Sequence, residues 1–314
     1  MSKQTNISGS KFGGDWTKQK LLVIDEYLKQ YSKVLKNTHT KKIYIDAFAG
    51  SGKTELKKKE TEVKAGQMGL YDLSEDFKDM KPAAPAAPEV LDRSAMLSLR
   101  YDFDEYYFIE LDEGRLHELQ VRISKEFPQK LGKIHFIAGN SNNEVQTILS
   151  NISVRDRCFM FLDPFALELE WKVLEAVSKK VVIDLWYLFP LSALTRVIPK
   201  DAAKMNKNER IVSKILGTDE WKLKLYETTG QSDIFGAEQK SRIQYDRLIE
   251  YIMERFKTIF PVVSDNYIKL KNENNTKLFL LCFMMTNTSP NAVSLADKLV
   301  KGIKTKLERI YGNN

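Results

Sequence analysis

Cysteine and histidine are scarce in this sequence, with two and three copies among 314 residues. Cys158 and Cys282 each lie inside an apolar run, so both read as small core hydrophobes, which excludes a disulfide framework and a thiolate metal centre. His39, His117 and His135 are scattered without ligand spacing, which excludes a histidine metal site. Any cofactor is therefore expected to be organic. Long apolar runs are missing as well. Nothing reaches the roughly 18 residues of a membrane-crossing helix, and Met1 to Gly14 is too polar for a secretory leader. The chain is expected in the cytoplasm, with no membrane partner.

Apolar material is nevertheless ample. Hydrophobic residues make up 43% of the chain, enough for a substantial core in one large α/β domain or two small ones. The formal net charge is +7, and the excess is concentrated. Between positions 196 and 224, Arg196, Lys200, Lys204, Lys207, Arg210, Lys214, Lys222 and Lys224 outnumber Asp201, Glu209, Asp219 and Glu220. That segment suits a polyanion such as RNA or DNA, with Lys204, Lys207 and Arg210 as its candidate contacts, although a lysine-rich helix is also an ordinary solvated face.

The apolar pattern divides the chain. Leu21, Ile24, Tyr27, Leu28, Tyr31 and Leu35 recur at helical spacing, so residues 1–40 read as a polar leader and an amphipathic helix. From Lys42 the pattern changes to short apolar runs separated by helix-length stretches, the mark of a parallel sheet. These runs, Lys42 to Asp46, Glu105 to Glu110, Ile134 to Ala138, Cys158 to Asp163 and Val181 to Trp186, predict five parallel strands within residues 41–195. A proline-rich interruption at 57–88 predicts a mobile surface loop. Residues 196–237 read as an inserted, basic, helical lobe. In 238–314 the core resumes with an amphipathic helix over Glu238 to Phe260, a hairpin of Val262 to Leu270 with Lys277 to Thr286, and a last helix over Ala292 to Ile310.

Chemistry concentrates at the ends of the strands. Asp46-Ala47-Phe48-Ala49-Gly50-Ser51-Gly52 closes the first with an acid and two glycines; the glycines let a ligand approach the backbone, and Asp46 suits the amino group of a bound amino-acid moiety. Glu110, with Leu111 and Asp112 after it, ends the second strand where ribose hydroxyls need an acceptor. Asn140, after the third, suits either an adenine amino group or a helix cap. The fourth runs into Asp163-Pro164-Phe165, in which an acid and a backbone carbonyl can hold an amine while the aromatic ring stacks on a base. A rival reading takes Ala47 to Thr54 as a degenerate phosphate-binding loop of an ATPase, with Phe159 to Asp163 as its magnesium strand. Glu55 to Glu60 offers such a loop almost no apolar helix to pack on the sheet.

The layout of five parallel strands, a helix and a terminal hairpin resembles class I methyltransferases, a Rossmann-like fold with a mostly parallel seven-stranded sheet and a C-terminal antiparallel hairpin. Along nearly its whole length the sequence also resembles the three-Cys-motif partner family, TcmP. The shared strings are Gly14-Asp15-Trp16, Tyr44 to Gly52, Phe108-Ile109-Glu110, Phe161 to Phe165, Asp184 to Pro190 and Leu216 to Trp221. The resemblance implies a methyltransferase-like fold and a partner protein that bears a three-cysteine motif. Two residues depart from the family pattern: Ala166 stands where it has glycine, and Asn140 where it usually has an acid. Together these features imply S-adenosylmethionine bound by Asp46, Phe48, Gly50, Gly52, Glu110, Leu111 and Asn140, with Asp163, Pro164 and Phe165 directing methyl transfer to an amino group of a nucleic acid. The contrasting reading is an accessory interaction protein that serves the three-cysteine partner.

Overall fold

The computed structural model describes residues 15–51, 94–204, 208–232, 238–272 and 275–312. The predicted mobile loop at 57–88, the leader before residue 15, Gly52 and Lys207 lie outside these residues. The first helix, α1 (Asp15–Val34), buries Val23, Ile24, Tyr27, Leu28 and Tyr31, and with them the polar Gln19 and Lys20. Leu21, which the spacing puts on the inward stripe, is only half-buried.

All five parallel strands form. β1 (Lys42–Asp46) is followed by the short helix α2 (Ser94–Ser98), β2 (Glu105–Glu110) by α3 (Glu113–Glu126), and β3 (Ile134–Ala138) by α4 (Ser141–Ser150). β4 (Arg157–Leu162) leads through α5 (Trp171–Ser178) to β5 (Ile183–Phe189), which runs on past the predicted end at Trp186. Then come α6 (Leu191–Val197), α7 (Glu209–Leu216), α8 (Trp221–Lys224) and the antiparallel pair β6 (Tyr226–Ser232) and β7 (Glu238–Arg242). The segment from 196 to 237 is therefore mixed rather than helical. Its second strand occupies the start of the predicted helix, because Glu238 to Arg242 offers no apolar residue and the helical stripe begins only with Ile243 and Leu248. That helix, α9 (Tyr245–Lys257), starts accordingly later.

The chain ends with β8 (Val262–Val263), β9 (Ile268–Lys271), β10 (Lys277–Met285) and α10 (Pro290–Tyr311). The main sheet has eight strands where seven are predicted, in the order β3-β2-β1-β4-β5-β10-β8, with β9 also pairing β10. The extra strand arises because the first arm of the predicted hairpin breaks into β8 and β9, both antiparallel to β10. β10 in turn runs antiparallel to β5, while β1 to β5 are mutually parallel.

Strand alternation sorts the core into two layers. Ile43 and Ile45 of β1 and Cys158, Met160 and Leu162 of β4 face residues of α4, α5 and α9. Tyr44, Phe159, Phe161, Trp186 and Phe283 face α1, α2, α3 and α10. On the second face Tyr27 of α1 packs against Phe159, Trp186 and Phe283, with ring centroids 5.8, 5.7 and 5.1 Å apart. Its hydroxyl donates to Asp184 Oδ2 of β5 at 2.9 Å. Further ties fix the same helix: the Tyr101 hydroxyl donates to Asp25 Oδ1 at 2.7 Å and Lys306 of α10 donates to Glu26 at 2.6 Å.

Burial pushes the Asp184 carboxyl up to about 6, against the pull of the Tyr27 hydroxyl and Arg157. A raised acid pKa means the folded state keeps its proton longer than the unfolded chain, so stability falls as pH rises from about 4 to about 6. Tyr27→Phe removes the donor that favours the ionised form. It should cost about 1–3 kcal/mol, with a deficit that widens between pH 4 and pH 8. Urea unfolding of both proteins at those two pH values measures it.

Candidate functional site

β1 is the central strand at which the chain reverses direction across the sheet, with β2 on one side and β4 on the other. A crevice at such a point, outside the carboxyl ends of the strands, is where α/β sheets bind ligands. Here the loop after β1 is tied to both neighbours: the Ala47 N–H donates to Phe161 O at 3.2 Å and the Ala49 N–H to Ile109 O at 2.9 Å. Gly50 follows with φ of 61°, a left-handed conformation that glycine adopts without a Cβ penalty. Its N–H donates to Glu110 Oε2 at 2.9 Å, and the Asp112 N–H donates to Glu110 Oε1 at 3.1 Å. Both oxygens of Glu110 are thus held by backbone at the end of β2, each with a lone pair to spare. Asp112, the runner-up for the same role, caps α3 by accepting from the Arg115 N–H at 2.9 Å.

Asp46 is the anomalous residue of this crevice. It is completely buried, its Oδ1 accepts from the Phe48 N–H at 3.2 Å, and its Oδ2 has no hydrogen-bond partner among the described residues. Burial pushes its carboxyl up to about 7, partly opposed by the Ser94 hydroxyl and the Phe48 N–H and reinforced by the charge of Asp163. A buried carboxylate oxygen without a donor costs free energy, and a ligand ammonium would remove that cost. Phe48 is half-buried against the core, and Leu111 is exposed beside Glu110.

On the β3 side, Asn140 caps α4, its Oδ1 accepting from the Asn142 N–H at 2.9 Å. Of the two roles the sequence leaves open for Asn140, the cap is the one formed. The Ser141 hydroxyl donates to the Ala47 carbonyl and holds α4 against the β1 loop. Beyond β4, Pro164 is buried while the Phe165 ring is 75% exposed. Ala166 takes φ of 51°, a left-handed turn in a residue with a side chain. Glu168 follows, its carboxyl raised to about 7 by burial and by the charge of Glu110, against the Phe165 N–H and Arg115.

Asp163 sits beside Asp46 but is not free. Lys20 of α1 donates to its Oδ2 at 2.5 Å, and the lysine side chain is 9% exposed. The same ammonium lies over the rings of Trp16 and Phe161, 5.3 and 6.0 Å from their centroids. Lys20, Ser141 and Glu168 escape a reading of strand-end motifs. Lys20 alone leaves a trace in the sequence, as a lysine one turn before Ile24 on the inward stripe.

In the basic segment, Lys204 and Arg210 are exposed, whereas Lys214 and Lys222 are committed to Glu170 and Glu209 at 3.2 and 2.6 Å. The Glu170 N–H donates in turn to Asn142 Oδ1 at 2.8 Å, which ties this segment to the start of α4. Among the described residues no three His, Cys, Asp or Glu side chains gather to hold a metal ion, and no helix is long and apolar enough to cross a membrane.

A central parallel strand closed by a glycine turn, an acid at the end of the next strand and an antiparallel β10 make this a Rossmann-like α/β protein of the class I methyltransferase type. No protein-family model matches the sequence. No curated protein matches it either. Among solved structures, the Legionella pneumophila protein LPL1258 is 12% identical with a TM-score of 0.46, the alignment covering 91% of this chain and 92% of that one. Trm1 from Pyrococcus horikoshii, solved with S-adenosyl-L-methionine, is 10% identical at a TM-score of 0.41, covering 95% of this chain and 60% of that one. A putative S-adenosyl-L-methionine-dependent methyltransferase from Methanococcus maripaludis is 9% identical at 0.37, covering 90% and 99%. At these values the likenesses carry neither residue roles nor an activity across.

The Asp46 geometry has a measurable cost. With its native pKa near 7 against 3.8 for an ordinary carboxyl, the folded protein loses stability as pH rises from about 4 to about 7. Asp46→Asn has no such charge to bury. It should raise stability by about 1 kcal/mol or more at pH 8, with a gain that shrinks toward pH 4, as thermal unfolding at the two pH values will register.

Proposed function

We propose that this chain binds S-adenosylmethionine in the crevice and transfers its methyl group to an amino group of a nucleic acid. The observation that carries the reading is the buried Asp46 Oδ2, without a hydrogen-bond partner among the described residues, beside an Asp163-Pro164-Phe165 turn whose aromatic ring stands in solvent. Bound there, S-adenosylmethionine supplies an electrophilic methyl group. Asp46 accepts from its ammonium, Glu110 from the ribose hydroxyls, and Leu111 and Asn140 border the adenine. Phe48 and Gly50 form the loop beneath it, and Gly52 is assigned to the same role from the sequence alone. At the acceptor side, Asp163 and the Pro164 carbonyl orient the amine and Phe165 stacks on the base. The gain is one of positioning, since an in-line displacement needs its two reacting atoms held close and aligned.

Exposed Lys204 and Arg210, together with Lys207, are the proposed phosphate contacts. The family resemblance adds a three-cysteine partner protein to the proposal, and the polar stretch from Met1 to Gly14 adds a cytoplasmic setting. The ATPase reading is disfavoured by the Gly50 N–H, which points at the Glu110 carboxylate and would bring a phosphate against that negative charge. The accessory reading draws support from one contact: Lys20 already neutralises Asp163, the group that should hold the acceptor.

Methyl transfer from labelled cofactor to total RNA, DNA and protein separates these readings. Asp163→Ala and Phe165→Ala should lose no affinity for S-adenosylhomocysteine but should lose transfer, the second through about 1–3 kcal/mol of base stacking. Undiminished transfer in both variants would overturn the roles given to Asp163 and Phe165, and no transfer by the wild type to any of the three would favour the accessory role.

Salt dependence offers a separate arm. If Lys204 and Arg210 neutralise phosphates, replacing both by alanine should flatten the slope of log affinity against log salt by roughly 1.4–1.8. A filter-binding series with single-stranded RNA and duplex DNA reads it.

A further inference from the structure

Asp46, Asp163 and Lys20 share one face of the sheet. Tyr44 of β1 and Phe159 and Phe161 of β4 pack on the α1 side, and alternation carries Asp46 to that side from Tyr44. Asp46 and Phe161 are direct partners in the β1–β4 ladder, so the turn that begins at Asp163 starts beside Asp46. The Lys20 ammonium reaches the same spot from α1, touching Asp163 and lying over Phe161. Its charge also extends to Asp46, whose ionisation it favours. The end of the crevice therefore holds two carboxylates and one ammonium in a largely dehydrated setting.

Such a cluster has a defined ligand preference. The amino-acid end of a cofactor brings one ammonium and one carboxylate. Asp46 Oδ2, buried and without a donor among the described residues, fits the ammonium. The carboxylate then has to settle near Asp46 and Asp163, where two like charges repel it and only a cation can hold it. Lys20 is that cation, and an ammonium has three N–H donors, one of which is already placed on Asp163.

We infer that Lys20 binds the carboxylate of the cofactor's amino-acid end, pairing with Asp46 to form a two-point clamp for a zwitterion. The inference deepens the cofactor assignment and rests on it. Sharing Lys20 with the incoming carboxylate also loosens its hold on Asp163, so the acceptor-orienting group becomes available when the cofactor is in place.

The test is calorimetric and needs no methyl acceptor. S-adenosylhomocysteine and its decarboxylated analogue, which keeps the ammonium, are titrated into the full chain and into the Lys20→Met, Lys20→Gln and Lys20→Arg variants, each checked for folding by thermal unfolding. Wild type should prefer S-adenosylhomocysteine by about tenfold or more, the worth of one charge-assisted hydrogen bond. Lys20→Met and Lys20→Gln should erase that preference by weakening S-adenosylhomocysteine alone, and Lys20→Arg should retain it. Equal wild-type affinity for the two compounds overturns the assignment without any variant. So does a preference that survives Lys20→Met, or an equal loss for both ligands, which marks a structural lysine. A wild type that binds neither compound removes the cofactor reading and the clamp with it.

Discussion

A sheet built from parallel strands has to be covered on both faces, and most of what is distinctive here follows from how the second face is closed. α4, α5 and α9 cover one side in the usual crossover manner. The other side is sealed largely by elements from the two ends of the described chain, α1 and α10, which pack on each other as well as on the aromatic layer. α1 is thus a structural lid for Tyr44, Phe159 and Phe283. Because it passes over the carboxyl ends of β1 and β4, it also delivers Lys20 to the neighbourhood of the fully buried Asp46 carboxylate. Packing and chemistry are the same event in this helix.

The electrostatics of the crevice make sense as a balance of desolvated charges. Asp46 and Glu168 both sit near neutrality because burial opposes their ionisation. Glu110 ends β2, on the other side of β1 from β4, and has each oxygen on a backbone N–H. One acid is therefore anchored by the main chain while its neighbours respond to what enters. A site arranged this way binds charged groups at the expense of resting stability, the usual tension between function and fold.

Much of this architecture was legible in the residues. The strands declared themselves through compact apolar runs, and the Asp46 to Ser51 turn and Asp163 to Phe165 fall at strand ends as their composition requires. β6 and β7 were not legible, because a two-stranded polar ribbon carries no apolar alternation: Glu238 to Arg242 reads as the start of the helix that follows. The split of β8 from β9 was hidden for the opposite reason, since Val262 to Leu270 is apolar enough to pass for one strand. Within the site, positions set by backbone could be placed from sequence. Lys20 could not, because its partner lies 143 residues away and a lysine among leucines looks like a chance interruption.

β10 gives the sheet a history as well as a shape. It slots between β5 and the pair β8 and β9, so residues 277–285 complete an edge that residues 183–189 have opened much earlier. During synthesis the apolar rim of β5 must wait for residues 190–276 to be made before β10 follows, and α10, which closes over α1, comes later still. The nascent protein therefore carries an uncapped sheet edge while residues 190–276 are made, the kind of surface on which chains aggregate or chaperones act. Assembly of the sheet is gated by β10, so a ribosome that stalls before that strand leaves the β5 edge without its antiparallel partner.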